Sequence, residues 1–214
     1  MPQTPPDALL FVTPGCPYCP AVLQGLGDLV KEGVIGRLEV INAAARPDLA
    51  AQHGVRTAPW TRIGPFQLEG ARAASELRRW AEAVNSPEGV ADYVAENLRD
   101  GGLASVEALF SHRPDLLPHL LPLLGNPGLE IQIRLGIGAI LEGLAGSDAL
   151  QQLVPQLGHL SADSDHRIRS DACHYLGLSG SPEAAAFLRP RLDDEQAEVR
   201  EIATDALEAL GIKR

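Results

Sequence analysis

The sequence has no long apolar segment, and we expect no leader of the kind that directs export. Its first apolar run, ALLFV at residues 8–12, is too short for the core of a signal peptide, and no basic residue precedes it. No stretch approaches the ~18–20 consecutive apolar residues that a membrane-spanning helix requires. We therefore expect no membrane association and a cytoplasmic location.

Basic residues are scarce as well. The chain has 18 Lys and Arg against 28 Asp and Glu, a formal net charge of −10 at pH 7, and no run of five basic residues. Phosphate backbones and anionic membranes are bound by clustered Lys and Arg, which this sequence lacks. We therefore expect no nucleic acid among its partners.

Cysteines and aromatic residues are also few. Three cysteines cannot form the framework of a disulfide-rich scaffold, and only 4% aromatic residues within a 45% hydrophobic composition indicates a core of aliphatic side chains. Two of the cysteines form one C-x-x-C, Cys16 and Cys19, a motif that serves redox chemistry or metal binding in a cytosolic protein. The third, Cys173, lies in a helical pattern, where a small buried residue is the usual explanation.

The first 85 residues alternate between strand and helix patterns. Periodicity predicts the order β-α-β-α-β-β-α, with a turn at Gly64-Pro65 in the last pair of strands. The segments, in chain order, are ALLFV, the helix after PYCP, GRLEVIN, RPDLAAQHG, APWTRI, FQLEG and ARAASELRRWAEAV. Because a β-α-β unit joins parallel strands by a crossover, the C-x-x-C lies where the first strand meets the first helix.

This position has chemical consequences for the two cysteines. The free backbone N–H groups at a helix start stabilise a thiolate, so we expect Cys16 to be the nucleophile. Cys19, one helical turn further on, is placed to resolve a mixed disulfide by attacking Cys16. Pro17 suits the first helical position, where its missing N–H would have no partner within the helix.

After residue 85 the strand patterns end and a helical repeat begins. Ile133-Arg134, Ile168-Arg169 and Val199-Arg200 recur at intervals of 35 and 31 residues, and each pair is followed by the same spacing of small and apolar residues. Pro122, Pro155 and Pro190 recur in step with these pairs. Such helix pairs cannot bury their apolar faces alone, so we expect them to stack into a solenoid. We assign residues 1–85 and 86–214 to two domains.

The C-P-Y-C motif resembles the active site of glutaredoxins, and FVTPGCPYCP is similar to glutaredoxin-like domains of larger protein disulfide oxidoreductases. The segment VRTAPW carries a second mark, since it matches the thioredoxin-fold proline that starts the third strand beside the cysteines. The resemblance implies a cis Ala58-Pro59 bond and an α/β thioredoxin-like fold. It also implies that Tyr18, Thr57, Ala58 and Pro59 contact the substrate.

The chain departs from these families at three places. EGARAASEL stands where many glutaredoxins have the G-G-x-D that holds glutathione, Leu10 stands where thioredoxins have a buried acid, and Gly15 replaces their tryptophan. We expect no metal and no cofactor, with glutathione the one small molecule left open. A zinc site needs about four Cys or His ligands. A shared iron–sulfur cluster needs external glutathione, for which the G-G-x-D motif of many glutaredoxins is missing here.

The segment LDDEQAEVREIATDALEALG resembles the short HEAT-like repeats first named for phycobilisome lyases. The resemblance covers about residues 113–212 and implies an all-α solenoid that binds a protein client. It implies that the repeat arginines bridge to acids of neighbouring repeats, with Asp163, Asp165, Asp193 and Asp194 as candidates. We expect the repeat prolines to bend the first helix of each pair.

Two functions are compatible with the sequence. The first is a thiol–disulfide oxidoreductase whose HEAT-like array holds a protein client with a thiol or disulfide. The second is a non-catalytic interaction protein with a vestigial or redox-sensing thioredoxin-like domain.

Overall fold

The computed structural model describes residues 4–84 and 86–212. The chain divides into two compact units, of which the first ends at Tyr93 and the second begins at Val94. Within the described residues, no helix combines the length and the apolar character that crossing a membrane would demand.

The first unit is built on a four-stranded mixed sheet. Its strands are β1 (Asp7–Val12), β2 (Arg37–Asn42), β3 (Trp60–Ile63) and β4 (Phe66–Glu69). They lie in the order β2-β1-β3-β4, with β2 parallel to β1 and the pairs β1–β3 and β3–β4 antiparallel. The predicted hairpin at Gly64-Pro65 is confirmed, since Ile63 pairs with Phe66.

Three helices accompany this sheet: α1 (Cys19–Lys31), α2 (Pro47–Gln52) and α3 (Ala74–Ala83). The element order therefore agrees with the predicted β-α-β-α-β-β-α. Strand side chains alternate between the two faces of a sheet. One face carries a core of buried residues that includes α2: Leu9, Phe11, Ile41, Ala50 and Trp60. α1 and α3 pack so closely that a Cβ atom on Gly25 would lie 3.2 Å from Leu77 Cδ1.

The helix α4 (Pro87–Arg99) follows, and the division between the units falls within it. Its Tyr93 belongs to the first unit, where the ring stacks on Phe66 at 4.5 Å. The Tyr93 hydroxyl accepts the backbone N–H of Gln67 at 3.1 Å and donates to the Gln67 carbonyl at 3.0 Å. Burial raises the pKa of Tyr93 to about 12, so the hydroxyl stays protonated and keeps both bonds with β4.

The second unit is helical. After α5 (Leu103–His112), three helices of 13 residues carry the repeated arginines: α7 (Ile131–Gly143), α10 (His166–Leu178) and α12 (Ala197–Ala209). Short segments precede each of them: η1 (Pro114–Leu120), α6 (Leu121–Leu124), α8 (Asp148–Gln151), α9 (Val154–Leu160), η2 (Pro182–Ala184), α11 (Ala185–Leu188) and η3 (Arg189–Asp193). The label η marks a 3₁₀ helix.

The first helix of each predicted pair is divided into short helical segments near its repeat proline, and the predicted bend stays a prediction. Pro122, Pro155 and Pro190 lie in the first turns of the short segments α6, α9 and η3. A first-turn N–H has no acceptor within its helix, so a residue without that N–H is tolerated there. The prolines therefore mark where one short segment ends and the next begins.

Each long helix packs against the elements beside it in the sequence. α10 contacts both α9 and α12, and α12 contacts η3. The approach of α10 and α12 depends on Gly177, because a Cβ atom there would lie 2.8 Å from the Cβ of Ala206. The predicted stacking of helix pairs is thus present in the second unit.

Candidate functional site

The pairing of β1 with β3 brings the C-x-x-C loop to the loop that precedes β3. In this antiparallel pair Phe11 lies opposite Trp60, so the end of β1 and the start of β3 share one edge of the sheet. The chain leaves β1 after Val12 and turns at Gly15, whose φ of +77° is a conformation that favours glycine. Cys16 and Ala58 thereby become neighbours.

Cys16 and Cys19 form a disulfide. The side chain of Cys16 is partly exposed, whereas Cys19 is only 6% exposed. The first helix begins at Cys19 with Tyr18 as its N-cap, so Pro17 lies before the helix and does not occupy its first position. Pro20 instead lies in the first turn, where a residue without an N–H is tolerated.

The start of α1 points a hydrogen-bond donor at the first sulfur. The backbone N–H of Cys19 donates to Cys16 Sγ over 3.1 Å. This N–H is one of the donors that a helix leaves without an acceptor at its first turn. A negative charge on the Cys16 sulfur would be stabilised by this donor and by the positive end of the helix dipole.

The second neighbour of Cys16 is the loop that carries Pro59. The Ala58-Pro59 bond is cis, which confirms that expectation. The Ala58 carbonyl oxygen lies 3.6 Å from Cys16 Sγ. Pro59 is buried, Ala58 is half-buried and Thr57 is exposed. The backbone of this loop therefore lies beside the exposed sulfur.

Tyr18 and Thr57 lie at the solvent boundary of this region. The Tyr18 side chain is 62% exposed, as expected, and Thr57 is exposed. Within residues 4–84 and 86–212, no hydrogen bond joins either side chain to the disulfide. Their predicted contact with a substrate stays a prediction.

Trp60 belongs to the core. It is 1% exposed and meets Phe11 edge to face, with ring centroids 5.7 Å apart. The His53 ring lies 5.6 Å from Phe11 and 6.1 Å from Trp60. Trp60, which directly follows Pro59, therefore packs in the core of the first unit.

Thr61 was not identified from the sequence. It is fully buried in β3 directly opposite Leu10, which is also fully buried, and its Oγ1 has no hydrogen-bond partner among the described residues. The alternating strand pattern WTRI gave no signal that this position is enclosed. The paired positions Leu10 and Thr61 thus place a buried apolar residue opposite an uncompensated hydroxyl in the first unit.

Cys173 is a core residue of the second unit. It is fully buried in α10, and burial raises the pKa of its thiol to about 12. No group of three or more His, Cys, Asp or Glu side chains in the described part of the chain is arranged to hold a metal ion. The neighbouring His174 is exposed, with its Nε2 atom 3.5 Å from Glu142 Oε1.

The repeat arginines connect successive repeats of the second unit. Arg169 donates from Nε and Nη2 to the two carboxylate oxygens of Asp194, at 2.9 and 2.8 Å. This pair is buried, with side-chain exposures of 6% and 3%. The prediction of a bridge to Asp194 is confirmed. Arg134 bonds to Asp171 at 2.5 Å, a partner on a helix and not in the predicted loops.

The same arginines also bind the loops that precede their own helices. Arg169 Nη1 donates to the Asp163 and Ser164 carbonyls, and Arg200 Nη1 to the Asp194 and Glu195 carbonyls. These bonds satisfy carbonyl groups of the loops, so the arginines have a structural role. A repeated V/I-R at this spacing is the signal by which the sequence reveals it.

Comparison with known families supports the repeats. Residues 117–208 match the family model of HEAT repeats. A search of curated proteins gave no match to the chain. HEAT repeats suggest a protein-interaction role for this part of the molecule.

Proposed function

We propose that the protein is a cytoplasmic thiol–disulfide oxidoreductase that acts on a protein client. A thioredoxin-like domain, residues 1–85, carries out the exchange, and HEAT-like repeats within residues 86–214 bind the client. Cys16 attacks the client disulfide, and Cys19 resolves the mixed disulfide that forms. The loop at Thr57, Ala58 and Pro59 orients the substrate, and Tyr18 contacts it. No metal or cofactor is required for this chemistry.

The exchange reaction is balanced by the two thiols of the protein. The Cys16 thiolate attacks one sulfur of a client disulfide, so a mixed disulfide forms and the other client sulfur leaves as a thiolate. The Cys19 thiolate then attacks Cys16 Sγ, which releases the second client thiol and closes the Cys16–Cys19 disulfide. Two electrons pass to the client, both client thiolates take protons from water, and the reverse sequence oxidises a dithiol.

The observation that carries the proposal is the hydrogen bond from the Cys19 N–H to Cys16 Sγ at 3.1 Å. It supports Cys16 as the nucleophile because the donor stabilises the thiolate that must form before attack. The difference in exposure supports the order of the two steps, since Cys16 is partly exposed and Cys19 is buried. The Ala58 carbonyl at 3.6 Å supports a substrate backbone lying beside the same sulfur.

Single-cysteine variants test the proposal on a disulfide-containing peptide substrate. Cys16→Ser should abolish exchange, whereas Cys19→Ser should accumulate a mixed disulfide that mass spectrometry detects. Cys173→Ala is the matched control, because this thiol is buried away from the surface and should leave exchange unchanged. Full exchange activity in both Cys16→Ser and Cys19→Ser would exclude the mechanism.

A second function, a non-catalytic interaction protein, is favoured by two observations. The matched family covers only the repeats, and Leu10 places a fully buried apolar residue where a thioredoxin has its acid. On this alternative, a Cys16→Ser, Cys19→Ser double variant would bind a client as tightly as the natural chain, and neither protein would exchange disulfides. Activity of the natural chain would reject it.

A further inference from the structure

The strand β2 lies at one edge of the sheet of the first unit. It pairs with β1 on its inner side, and no other strand of the described residues pairs with its outer side. The N–H of Ala43, just after β2, donates to the Val12 carbonyl, so the backbone groups of the odd-numbered β2 residues point toward β1. The N–H and C=O groups of Leu38 and Val40 therefore face outward, where they are available to another strand.

The side chains of Leu38 and Val40 lie on the sheet face that α1 and α3 cover. Strand pairing places four residues in one row across the sheet: Leu38, Ala8, Ile63 and Phe66. Trp80 of α3 packs on Phe66, and α1 packs on α3. Val40 shares this face with Leu38, since the two are two residues apart in one strand. At 43% exposure, Val40 extends beyond the cover of the helices.

The helix α1 adds an exposed leucine to the same edge. Gly25 faces α3, where a Cβ atom would lie 3.2 Å from Leu77 Cδ1. Leu23, two residues earlier, is rotated by about 160° around the helix and therefore lies on the side away from α3. It is 40% exposed, and α1 also contacts β2. Of the three exposed large apolar side chains described in the first unit, Leu23 and Val40 thus both border the β2 edge.

The other face of β2 carries two charges of opposite sign. Arg37 and Glu39 are both exposed and alternate with the apolar residues. Arg37 forms an ion pair with Asp7 of the same chain at 2.8 Å, whereas Glu39 forms none with any residue that the structure describes. Charges of one sign on an edge strand oppose the approach of a copy of that strand. Opposite charges two residues apart are instead complementary to their own antiparallel copy.

We propose that β2 pairs antiparallel with β2 of a second copy of the chain, with a twofold axis at Leu38. The two Leu38 residues then lie opposite each other and exchange both backbone hydrogen bonds. Each Arg37 lies opposite the Glu39 of the other copy, and each Val40 lies diagonal to the other Leu38. A twofold contact needs a surface that is complementary to itself, which the sequence Arg-Leu-Glu supplies.

The charge of the first domain also favours a second copy as the occupant. Residues 1–85 contain eight acidic and eight basic residues, so two copies of this part of the chain carry no net charge that would repel them. The pairing is independent of the redox chemistry of Cys16 and Cys19, so it stands or falls separately from the proposed function.

Sedimentation velocity of the full-length protein tests the pairing, in a reducing buffer that prevents intermolecular disulfides. A contact centred on one strand pair is small for a protein interface, so we expect a dissociation constant of about 1–100 µM. Val40→Lys should weaken the dimer at least about fivefold, because a lysine on an edge strand opposes pairing. Leu135→Lys, at a 66% exposed leucine of α7, is the matched control and should change the dissociation constant less than about twofold.

Charge reversal tests the twofold register. Arg37→Glu places glutamate opposite Glu39, and Glu39→Arg places arginine opposite Arg37, so each variant alone should dimerise at least about fivefold more weakly than the natural chain. An equimolar mixture of the two variants should recover the natural affinity within about threefold, because both contacts are then between opposite charges. Recovery on mixing also excludes misfolding as the cause of the weaker dimers.

Three outcomes would overturn the inference. The first is a natural chain that stays monomeric at about 300 µM. The second is a dimer that Val40→Lys and the charge-reversed variants leave unchanged, which would assign the contact to another surface. The third is a dimer in which the outward Leu38 amide exchanges its hydrogen as fast as in the dilute protein, because strand pairing must protect that N–H.

Discussion

The backbone N–H of Cys19 donates a hydrogen bond to Cys16 Sγ over 3.1 Å. Because this donor stabilises a thiolate, iodoacetamide should alkylate Cys16 of the reduced protein faster than Cys19, by at least about tenfold at pH 7. The burial of Cys19 acts in the same direction. Timed quenching followed by peptide mass spectrometry measures both rates. Faster alkylation of Cys19 would reverse the assigned roles.

Cys173 should remain unmodified in that experiment. Its side chain is fully buried, and burial raises the pKa of the thiol to about 12, so almost no thiolate forms at pH 7. The same reagent should label it rapidly in concentrated urea, where α10 is unfolded. Labelling of Cys173 in the native protein at the rate of a free thiol would show that the second unit opens locally at this helix.

Removing one partner of the buried Arg169–Asp194 pair should strongly destabilise the second unit. Arg169→Met leaves the Asp194 carboxylate buried without its main donors, a change that costs about 3–5 kcal/mol of unfolding free energy. The matched control Arg113→Met breaks the exposed ion pair with Asp115 and should cost at most about 1 kcal/mol. Urea unfolding followed by circular dichroism measures both.

The fluorescence of the two tryptophans provides an internal check on that result. Trp60 and Trp80 both belong to the first unit, so their fluorescence reports the unfolding of that unit. It should give the same midpoint in Arg169→Met as in the natural chain. If Arg169→Met and Arg113→Met lost the same unfolding free energy in the circular dichroism experiment, the buried pair would stabilise the protein no more than the exposed pair does.

The same pair makes the second unit sensitive to acid. Hydrogen bonds from Arg169 hold the pKa of the Asp194 carboxyl below its ordinary value, aided by the Gln196 N–H and opposed by burial. An unfolded Asp has a pKa near 3.9, so the stabilisation is present above about pH 4 and is lost as the pH falls through the lower folded pKa. Asp194→Asn should therefore be less stable at pH 7 and lose less stability between about pH 5 and 3.

Thermal melts at pH 7, 5, 4 and 3 measure this dependence by circular dichroism. Arg169→Met should show the same shallower slope, because it removes the donors that lower the Asp194 pKa. If the natural chain and the Asp194→Asn variant had parallel pH profiles, the Asp194 carboxyl would not contribute to the acid sensitivity of the second unit.

Thr61→Val should stabilise the first unit or leave it unchanged. The Thr61 hydroxyl is fully buried without a hydrogen-bond partner among the described residues, and valine has nearly the same shape. Removing an unsatisfied polar group of this kind gains up to about 1 kcal/mol. Urea unfolding followed by tryptophan fluorescence is the readout. A loss of unfolding free energy in Thr61→Val would contradict this prediction and show that the hydroxyl has a hydrogen-bond partner in solution.

Local patterns account for what the sequence predicted well. The alternation of strand and helix signals, the Gly64-Pro65 turn and the position of the C-x-x-C depend on neighbouring residues, and the structure agrees with them. The cis Ala58-Pro59 bond followed from the resemblance to glutaredoxins. The bridge from Arg169 to Asp194 followed from the resemblance to HEAT-like repeats.

Contacts that depend on distant packing were not predicted. Asp171 is the partner of Arg134 because α7 and α10 pack in a particular register, which no spacing along the chain reveals. Tyr93 bonds to Gln67, 26 residues earlier, through the packing of α4 against β4. The burial of Thr61 and the exposure of Leu135 likewise depend on which elements cover them.

The most direct test of the proposed function is the redox equilibrium of Cys16 and Cys19. Purified full-length protein is equilibrated in glutathione buffers of graded potential, free thiols are trapped by alkylation, and the oxidation state of the pair is read by mass. A reversible two-electron transition, within the range of about −270 to −120 mV found for related dithiols, is the predicted result. Cysteines that remain free thiols in the most oxidising buffer would contradict it and leave the helical repeats as the functional part of the chain.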